Sequence, residues 1–257
     1  MKIFVCIKQV PDTETKIKVD ASGKAMDPAG VKWILNPYDE YAVEEAIKTR
    51  DANPGSQVIV LTVGPKTRAG EALRTALAMG ADEGILVDAP DQLELLFVAE
   101  AAAAAIKKAG PADLIFTGKL AIDDGAGCVP QMVAEFLGIP HATVVSKFQL
   151  TPEGAQIERD VEGGTKEIVK LKLPALIAAT KGLNMPRYAS LPGIMKAKKK
   201  VLQEMTLTDL GVTAQSLTPT IKFELPPDKP PAMLLSGDPA EQVRALVSKL
   251  RDEAKVL

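Results

Sequence analysis

Cysteine and histidine are scarce in this chain of 257 residues, which contains two cysteines and one histidine. Cys6 and Cys128 lie far apart and form no Cys-x-x-Cys pair, which argues against a disulfide scaffold, a zinc site and a thioredoxin-like redox motif. Because His141 is the single histidine, a site with several histidine ligands is excluded and a histidine-based catalytic triad is disfavoured. The low cysteine content fits a reducing compartment, and we expect a cytoplasmic protein.

The chain also lacks a strong net charge and a long apolar run. Lysine and arginine total 31 against 33 acidic residues, so the net charge of the chain does not favour binding to nucleic acid or to an anionic membrane. The longest apolar stretch, Phe97–Ile106, contains Glu100 and is too short to span a bilayer. Lys8 interrupts the amino-terminal apolar run well before signal-peptide length. We therefore expect no nucleic-acid partner, no membrane insertion and no targeting segment.

Apolar periodicity indicates an α/β protein. Over the first two thirds of the chain, short apolar runs alternate with amphipathic helical patterns, which is typical of βαβ units and a mainly parallel sheet. Asparagine followed by proline at Asn36-Pro37 predicts the start of the first helix, with Asn36 as its cap. The predicted strands are Ile3–Ile7, Val58–Val63, Ile85–Val87, Leu114–Thr117 and Ala175–Ala179, and further helices are predicted near 67–79, 91–108 and 128–137.

After Pro140 the pattern changes to three short segments separated by glycine-containing turns, which predicts an antiparallel meander at the sheet edge over 141–150, 155–161 and 166–171. The proline pairs Pro226-Pro227 and Pro230-Pro231 predict an extended arm, followed by a helix capped at Asp238. That helix either folds back on its own domain or packs on another chain, and we favour the second. The fold class is thus a Rossmann-like, mainly parallel sheet with flanking helices, antiparallel edge additions and a carboxyl-terminal arm. We predict an α/β domain over 1–183, a partner-recognition loop over 184–200, and an arm with its helix over 201–257.

Two segments contain candidate functional residues. The stretch Gly118–Val129 follows a predicted strand and precedes a helix, where small residues allow backbone N–H groups to face a phosphate. Without further information it is a weak nucleotide-binding signal, since an ordinary glycine-rich loop has the same composition. Asp123-Asp124 within it could be paired catalytic or Mg²⁺-binding carboxylates, but adjacent side chains point in different directions, which favours capping or backbone contacts.

The second segment, Asn184–Lys200, combines apolar residues with a basic cluster. A run of lysines is most often a solvated surface, and the absence of interleaved aromatics argues against nucleic-acid binding. Exposed apolar side chains beside cations suggest a protein-docking surface. From the residues alone it stays equally open that these apolar side chains pack on the core of their own domain.

Five stretches, taken in order, resemble the beta subunit of the electron transfer flavoproteins: LNPYDEYAVEEAI (Leu35–Ile47), TVGP (Thr62–Pro65), RTALAMGAD (Arg74–Asp82), GKLAIDD (Gly118–Asp124) and NMPRYASLPGIMKAKKK (Asn184–Lys200). The resemblance implies an electron carrier without catalytic residues, in a heterodimer with an alpha subunit that holds the redox-active FAD. It implies that the arm and terminal helix over 201–257 pack on that alpha subunit. It also implies a structural AMP in this chain, acyl-CoA dehydrogenase-type flavoenzymes of fatty acid oxidation as electron donors, and an electron transfer flavoprotein-quinone oxidoreductase as acceptor.

The resemblance also assigns individual residues, with Tyr38 close to the flavin and Asp160 at the subunit interface. The implied cofactor contacts are Cys6, Asn36, Pro37, Tyr38, Asp39, Val63, Gly118, Lys119, Leu120, Ala121, Ile122, Asp123, Asp124, Gly125, Ala126, Gly127, Cys128 and Val129. The implied docking residues are Leu191, which would anchor in an apolar pocket of the dehydrogenase, with Pro192, Ile194, Met195, Lys196 and Lys199.

One departure keeps another branch of the family open. After its two aspartates the family loop is usually more polar than Gly125–Val129 here. A branch that bifurcates electrons binds a second FAD in this site and uses NADH, but it usually has the sequence IDGD and lacks the turn seen at Gly163-Gly164. We therefore favour AMP.

Two functions outside the family are also compatible with an α/β fold. An AMP- or ATP-responsive regulatory domain would use the same fold, but it leaves Asn184–Lys200 without a role. A nucleotide-dependent ligase or sulfurtransferase would need a Ser-Gly-Gly-rich loop after the first strand, where this chain has Lys8-Gln9-Val10-Pro11. Both are less favoured than an electron carrier subunit.

Overall fold

A computed structural model describes every residue from Met1 to Leu257. The strands are β1 (Lys2–Cys6), β2 (Gln9–Pro11), β3 (Trp33–Leu35), β4 (Gln57–Gly64), β5 (Glu83–Asp88), β6 (Leu114–Gly118), β7 (His141–Thr151), β8 (Gly154–Asp160), β9 (Lys166–Leu171), β10 (Ala175–Ala179) and β11 (Gln203–Thr206). The α-helices are α1 (Pro37–Ala52), α2 (Gly70–Met79), α3 (Leu95–Ala109), α4 (Val129–Leu137), α5 (Leu191–Lys199) and α6 (Pro239–Ser248).

Nine of the strands form one sheet in the order β11-β5-β4-β1-β6-β10-β7-β8-β9. Every pair from β11 to β7 is parallel, whereas β8 and β9 extend the sheet by antiparallel pairing. The predicted fold class and the antiparallel meander are therefore confirmed. Val144 lies at an irregularity in the pairing of β7 with β10, between the paired residues Ala142 and Val145, and its φ of 58° is a strained conformation for a β-branched residue.

Helices cover both faces of this sheet. On one face α1 and α2 pack on strand residues such as Ile3 and Val5, with α5 packed against α2, and on the other face α3 and α4 pack on Phe4 and Ile115. Successive strand residues alternate between the two layers because side chains of a strand point to opposite faces. The central strands are buried on both faces, which explains their nearly continuous apolar sequences.

The amino terminus of α1 differs from its prediction. The helix does begin at Pro37 with Asn36 as the preceding residue, but the Asn36 side chain makes no cap hydrogen bond. Its amide instead donates to the carbonyl of Leu120 (2.9 Å) and accepts from the N–H of Ile122 (3.2 Å). The residue therefore joins α1 to the loop after β6 rather than capping its own helix.

Four elements, β2, β3, β11 and α5, were not predicted from the sequence. The strand β11 pairs with β5 at the sheet edge, so Ala175–Ala179 is not the last strand of the core. The short strands β2 and β3 pair as a separate antiparallel ribbon. Leu191–Lys199, predicted to be part of a loop, is the helix α5, whose first turn is capped by Ser190 accepting the N–H of Gly193 (3.1 Å).

The chain forms two compact units, the first comprising Met1–Ile17 with Pro28–Thr220 and the second Lys18–Asp27 with Ile221–Leu257. In the second unit, the N–H of Phe223 donates to the carbonyl of Gly23 (2.8 Å), and Asp238 and Glu241 form a capping box at the start of α6. None of the α6 residues is buried. The domain boundaries predicted from the sequence stay predictions. No helix has the combination of length and apolar character needed to cross a membrane.

Candidate functional site

A cavity of about 250 Å³ lies at the carboxyl ends of the central parallel strands. The order in which successive strands are added to the sheet reverses at β1, because β4 lies on one side of β1 and β6 lies on the other. In open α/β sheets, the carboxyl ends of strands at such a switch point are where ligands bind. The wall of the cavity comes from the segments that follow β1, β4, β5 and β6 and from the starts of α3 and α4.

Most of the cofactor contacts predicted from the sequence meet at this cavity. Those that line it are Cys6, Asn36, Asp39, Val63, Gly118, Leu120, Ala121, Asp124, Ala126, Gly127 and Val129. Those outside its lining are Pro37, Tyr38, Lys119, Ile122, Asp123, Gly125 and Cys128. Because residues more than 80 positions apart in sequence converge here, the tertiary fold brings the predicted segments into one site.

Unpartnered polar groups point to a polar ligand. The hydroxyl oxygen of Thr117, the residue before Gly118 in β6, is buried without a hydrogen-bond partner and belongs to the cavity wall. The N–H groups of Gly127, Cys128 and Val129, at the start of α4, have no acceptor within the protein. Three adjacent donors at the positive end of a helix dipole are suited to an anion such as phosphate.

Asp39 is the most deeply buried acid of the site and ties three segments together. Its carboxylate accepts the N–H of Lys8 after β1 (2.7 Å) and the N–H of Gly118 at the end of β6 (2.9 Å). Burial raises the pKa of Asp39 from its ordinary 3.8 to about 7, although its hydrogen bonds with Lys8, Asn36 and Gly118 oppose that rise. Asp39 therefore shapes the cavity by holding backbone groups, and it titrates close to neutral pH.

This shift predicts an unusual pH dependence of stability. The folded protein keeps a proton on Asp39 between about pH 4 and pH 7 that the unfolded chain has lost, so this contribution to stability is present at low pH and disappears as pH rises towards 7. We expect the free energy of unfolding to fall by up to about 1.4 kcal/mol per pH unit in that window, and Asp39→Asn to remove the slope. Urea unfolding at a series of pH values measures both.

Asp12→Asn is the matched control for that measurement. Asp12 lies on the surface, and its hydrogen bond with Lys32 lowers its pKa, so its contribution to stability is lost only in more acidic solution. We expect Asp12→Asn to leave the slope above about pH 4 unchanged. An identical slope in the wild type and Asp39→Asn would mean that Asp39 stays ionised throughout.

The aspartate pair at 123 and 124 makes backbone contacts and ion pairs, which confirms the favoured interpretation. Asp123 accepts the N–H of Asp124 (3.0 Å), and Asp124 accepts that of Ala126 (3.0 Å). Both carboxylates also contact the ammonium group of Lys8, at 2.9 Å each. Partial burial alone would lower the pKa of Lys8, but its bonds to the two carboxylates raise it, so the ammonium stays charged. No group of three or more histidine, cysteine or acidic side chains could hold a metal ion.

The sequence analysis predicted neither cation of the cavity wall, Lys8 nor Arg68. Arg68 follows β4, stacks 3.7 Å from the ring centroid of Trp33, and donates to Gln9 (2.9 Å) and Asp91. Its Nε is buried without a partner. The sequence does place Arg68 just after a strand, like the loop that was singled out, but only the fold shows that β2 and β3 bring Gln9 and Trp33 against it.

Cys6 lines the cavity, but its thiol is in an environment that disfavours reactivity. Burial, reinforced by the nearby charge of Asp39, raises the pKa of the Cys6 thiol to about 12. A thiol becomes a nucleophile or redox group through its thiolate, which this environment suppresses at neutral pH. The second cysteine, Cys128, is also a free thiol.

The predicted docking residues lie on helix α5 and its preceding turn, and the apolar ones face solvent. Leu191, Ile194 and Met195 are 78%, 38% and 65% exposed. Met185 and Tyr188, which come just before the helix, are almost fully exposed. The interpretation that these side chains pack on the core of their own domain is therefore wrong. An apolar surface of this kind, on an otherwise well-packed unit, is typical of a protein-interaction site.

The segment Asn184–Lys200 is firmly anchored to α1 despite its exposed apolar face. Arg187 donates to both carboxylate oxygens of the buried Glu44 in α1, at 2.7 and 2.9 Å. Such a two-point bond between guanidinium and carboxylate fixes direction as well as distance. Asn184 donates to the carbonyl of Tyr41 (2.9 Å), also in α1.

The remaining residues of this segment have separate roles. Lys196 and Lys199 are exposed at the end of α5, whereas Lys200 donates to the carbonyls of Ala81 (2.8 Å) and Asp82 (2.6 Å) and so belongs to the scaffold. Pro192 occupies the first turn of α5, where a proline costs no hydrogen bond.

Two residues that the resemblance assigned to specific roles, Asp160 and Tyr38, lie outside both the cavity lining and the segment Asn184–Lys200. Asp160, at the end of β8, accepts from the hydroxyl of Ser146 (2.8 Å) and lies 3.5 Å from the ammonium of Lys166. Tyr38 lies in the first turn of α1 with the Lys119 ammonium 4.9 Å from its ring centroid. Their inter-subunit and flavin roles stay predictions.

Comparison with known proteins gives one consistent result. A family model described as the electron transfer flavoprotein domain matches residues 25–210. Proteins named electron transfer flavoprotein subunit beta from Bacillus subtilis, Bradyrhizobium diazoefficiens and Sus scrofa are 46%, 42% and 40% identical, and each alignment covers 100% of this chain and at least 99% of the relative. The cavity at the strand ends and the exposed helix α5 both fall within the matched length. The chain therefore belongs to the electron transfer flavoprotein family, among its beta subunits.

Proposed function

We propose that this chain, with an alpha subunit, forms a heterodimer that accepts electrons from acyl-CoA dehydrogenase-type flavoenzymes and passes them towards a membrane quinone reductase. Its own part is to hold a structural AMP and to dock the dehydrogenase. The observation that supports this most directly is that a nucleotide-sized cavity and an exposed apolar helix occur on one chain that aligns end to end with beta subunits.

The size and the lining of the cavity support a mononucleotide as its ligand. Its volume of about 250 Å³ lies just below the range of roughly 300–1,000 Å³ that is usual for ligand pockets. The unpartnered N–H groups of Gly127, Cys128 and Val129 would bind the phosphate, and the Thr117 hydroxyl would satisfy one further polar atom. Apolar side chains in the same wall, such as Leu61, Leu93 and Val98, would cover an adenine face. AMP is therefore favoured over a second FAD, whose added flavin part would need more room.

The redox chemistry in this proposal belongs to an FAD held mainly by the alpha subunit, which carries the electrons when bound. This chain supplies no reactive group of its own. The Cys6 thiol has a pKa of about 12, and the aspartates of the cavity are engaged by backbone N–H groups and by Lys8. Its residues bind and position, which is the expected property of a carrier subunit rather than an enzyme.

Docking would use the exposed face of α5. The side chain of Leu191 would enter an apolar pocket on the dehydrogenase, with Ile194 and Met195 beside it. A small apolar anchor stabilises the complex enough for electron transfer, yet the modest buried area permits fast release. Lys196 and Lys199, at the rim, would raise the rate of encounter with an acidic surface more than the affinity.

A second candidate is the bifurcating type, with a second redox-active FAD in this cavity and NADH as donor. The observation that favours it is the lack of bulk in the loop before α4, where Gly125 and Gly127 have no side chains and the space around Gly125 is open. That loop could make room for a longer ligand.

Cofactor release decides between the two. The chain is co-expressed with its alpha subunit, the heterodimer is treated with acid, and the released compounds are identified by chromatography and mass. We expect one AMP and one FAD per heterodimer. Two FADs without AMP would move the protein to the bifurcating type, and a heterodimer with neither AMP nor a second FAD would refute nucleotide binding at this cavity.

A further inference from the structure

The backbone of Lys8 is fixed to the start of helix α1. Its N–H donates to Asp39 (2.7 Å), and its carbonyl accepts the N–H of Asn36 (2.9 Å). The two bonds hold the main chain after β1 against the wall of the cavity. The Lys8 side chain therefore extends from an immobile point.

From that point the side chain reaches the loop after β6. Its ammonium nitrogen lies 2.9 Å from a carboxylate oxygen of Asp123 and 2.9 Å from one of Asp124. Lys8 and Asp124 both line the cavity. These ion pairs thus connect the segments after β1 and β6 across the cavity wall.

The loop after β6 also has neutral side-chain attachments, to Asn36 at its start and to Gln131 at its end, where the Gln131 amide donates to the carbonyl of Gly127 (2.9 Å). The Asn36 amide, which is 1% exposed, binds the loop at Leu120 and Ile122 through neutral hydrogen bonds. The ionic attachment is nearer the solvent, since the side chains of Lys8, Asp123 and Asp124 are 40%, 26% and 35% exposed. Water and salt weaken exposed ion pairs, whereas a buried amide contact is insulated from both.

Beyond the ion pairs the loop has the freedom to move. Gly125 and Gly127 have φ angles of 62° and 61°, a conformation that glycine adopts without strain. A side chain at position 125 would touch nothing within 4 Å. If the ion pairs open, residues 123–126 can turn about these glycines, while Asn36 still holds the start of the loop and Gln131 still holds the carbonyl of Gly127.

The ion pairs also limit what Lys8 can do as a cation. Its single charge is already matched by two carboxylates, so it is poorly placed to neutralise a phosphate, and the donors left over for an anion are the N–H groups at the start of α4. We propose that Lys8 is a positioning residue that latches the loop 119–128 through Asp123 and Asp124 and so slows release of the nucleotide. This proposal rests on the proposed nucleotide-binding function.

The test compares the rate of AMP release from the intact heterodimer. Wild type, Lys8→Met and the double variant Asp123→Asn/Asp124→Asn are loaded with labelled AMP, and its loss is followed after adding excess unlabelled AMP. We expect both variants to release AMP roughly 3- to 30-fold faster, because two partly exposed ion pairs are lost in each. Asparagine keeps the oxygens that accept the loop N–H groups, so the second variant removes only the charges. In 1 M salt the three proteins should converge.

Lys32→Met serves as the control, because it breaks the ion pair of Lys32 with Asp12 (2.6 Å) away from the cavity and should leave release unchanged. The direction in which the double variant changes the rate of AMP release distinguishes the latch from direct phosphate binding by Lys8. If Lys8 binds the phosphate, removing the competing carboxylates frees it and slows release, which would overturn the latch. Equal rates in all forms would also overturn it while leaving AMP binding intact. A wild-type heterodimer that neither carries nor takes up AMP would overturn both proposals.

Discussion

Gly118→Ala is expected to lower the free energy of unfolding by about 3 kcal/mol and to abolish nucleotide retention. A Cβ atom at this position would overlap a carboxylate oxygen of Asp39 and lie 2.8 Å from the backbone carbon of Tyr38. Neither neighbour can move easily. The Tyr38 carbon belongs to the backbone at the start of α1, and the Asp39 carboxylate accepts the N–H of Gly118 itself. The substitution must therefore push α1 away from β6.

The consequence reaches the cavity because the displaced groups form its wall. Asn36, Asp39 and Gly118 all line it, and the same displacement would break the Asp39 bonds to Lys8 and Gly118. Buried N–H groups left without an acceptor cost about 1–3 kcal/mol each. Urea unfolding reports the loss of stability, and acid release of bound nucleotide reports the loss of the site.

Gly70→Ala is the matched control for this prediction. Gly70 begins helix α2, and a Cβ there would make an ordinary contact of 3.7 Å with Leu202. We expect this variant to equal the wild type or to gain up to about 1 kcal/mol, since alanine favours the helix. A Gly118→Ala protein as stable as Gly70→Ala, with nucleotide retained, would contradict the account of the Asp39 clamp.

Leu191→Ala is expected to reduce electron transfer with the partner dehydrogenase by about 10- to 100-fold, seen as a higher KM for the flavoprotein. Burying a leucine side chain in an apolar pocket stabilises a complex by roughly 1.5–3 kcal/mol, and each 1.4 kcal/mol is a factor of ten. Because Leu191 is 78% exposed in this chain, its truncation should not change the free energy of unfolding or the nucleotide content. Steady-state assays with purified dehydrogenase measure the effect.

Ile168→Ala provides the control, because Ile168 is a similarly exposed aliphatic residue (67%) in β9, at the edge of the sheet opposite β11. It removes comparable apolar surface but should leave the kinetics unchanged. Normal rates for Leu191→Ala with the natural dehydrogenase would exclude α5 as the docking surface. A loss of rate accompanied by a loss of nucleotide would instead indicate a defect in folding.

Local sequence patterns predicted the parts of this protein whose structure depends on neighbouring residues. Short apolar runs located the main strands, and Asn36-Pro37 located the start of α1, because backbone preferences and side-chain patterning act over a few residues. The segment Gly118–Val129 was singled out from its position between strand and helix, and much of it lines the cavity. The family was predicted from five motifs and is confirmed by alignments over the whole chain.

Contacts between distant segments decided what the patterns missed. Asn36 has the residue type of a helix cap, yet its amide binds Leu120 and Ile122, because the fold places that loop beside it. Arg68 has the sequence context of an ordinary surface arginine, and only the ribbon of β2 and β3 brings Trp33 against it.

The segment Asn184–Lys200 shows the same division between what local patterns predicted and what distant contacts decided. Its sequence identified the apolar residues and the lysines, but left open whether Leu191 was exposed and treated 191–199 as loop. In the structure that stretch is a helix capped by Ser190, with Ala197 buried and Leu191, Ile194 and Met195 exposed. The sequence by itself determined which residues were present and which short elements they favour. Tertiary structure alone decided which of them are buried, paired or exposed, because those properties depend on groups that are far apart along the chain.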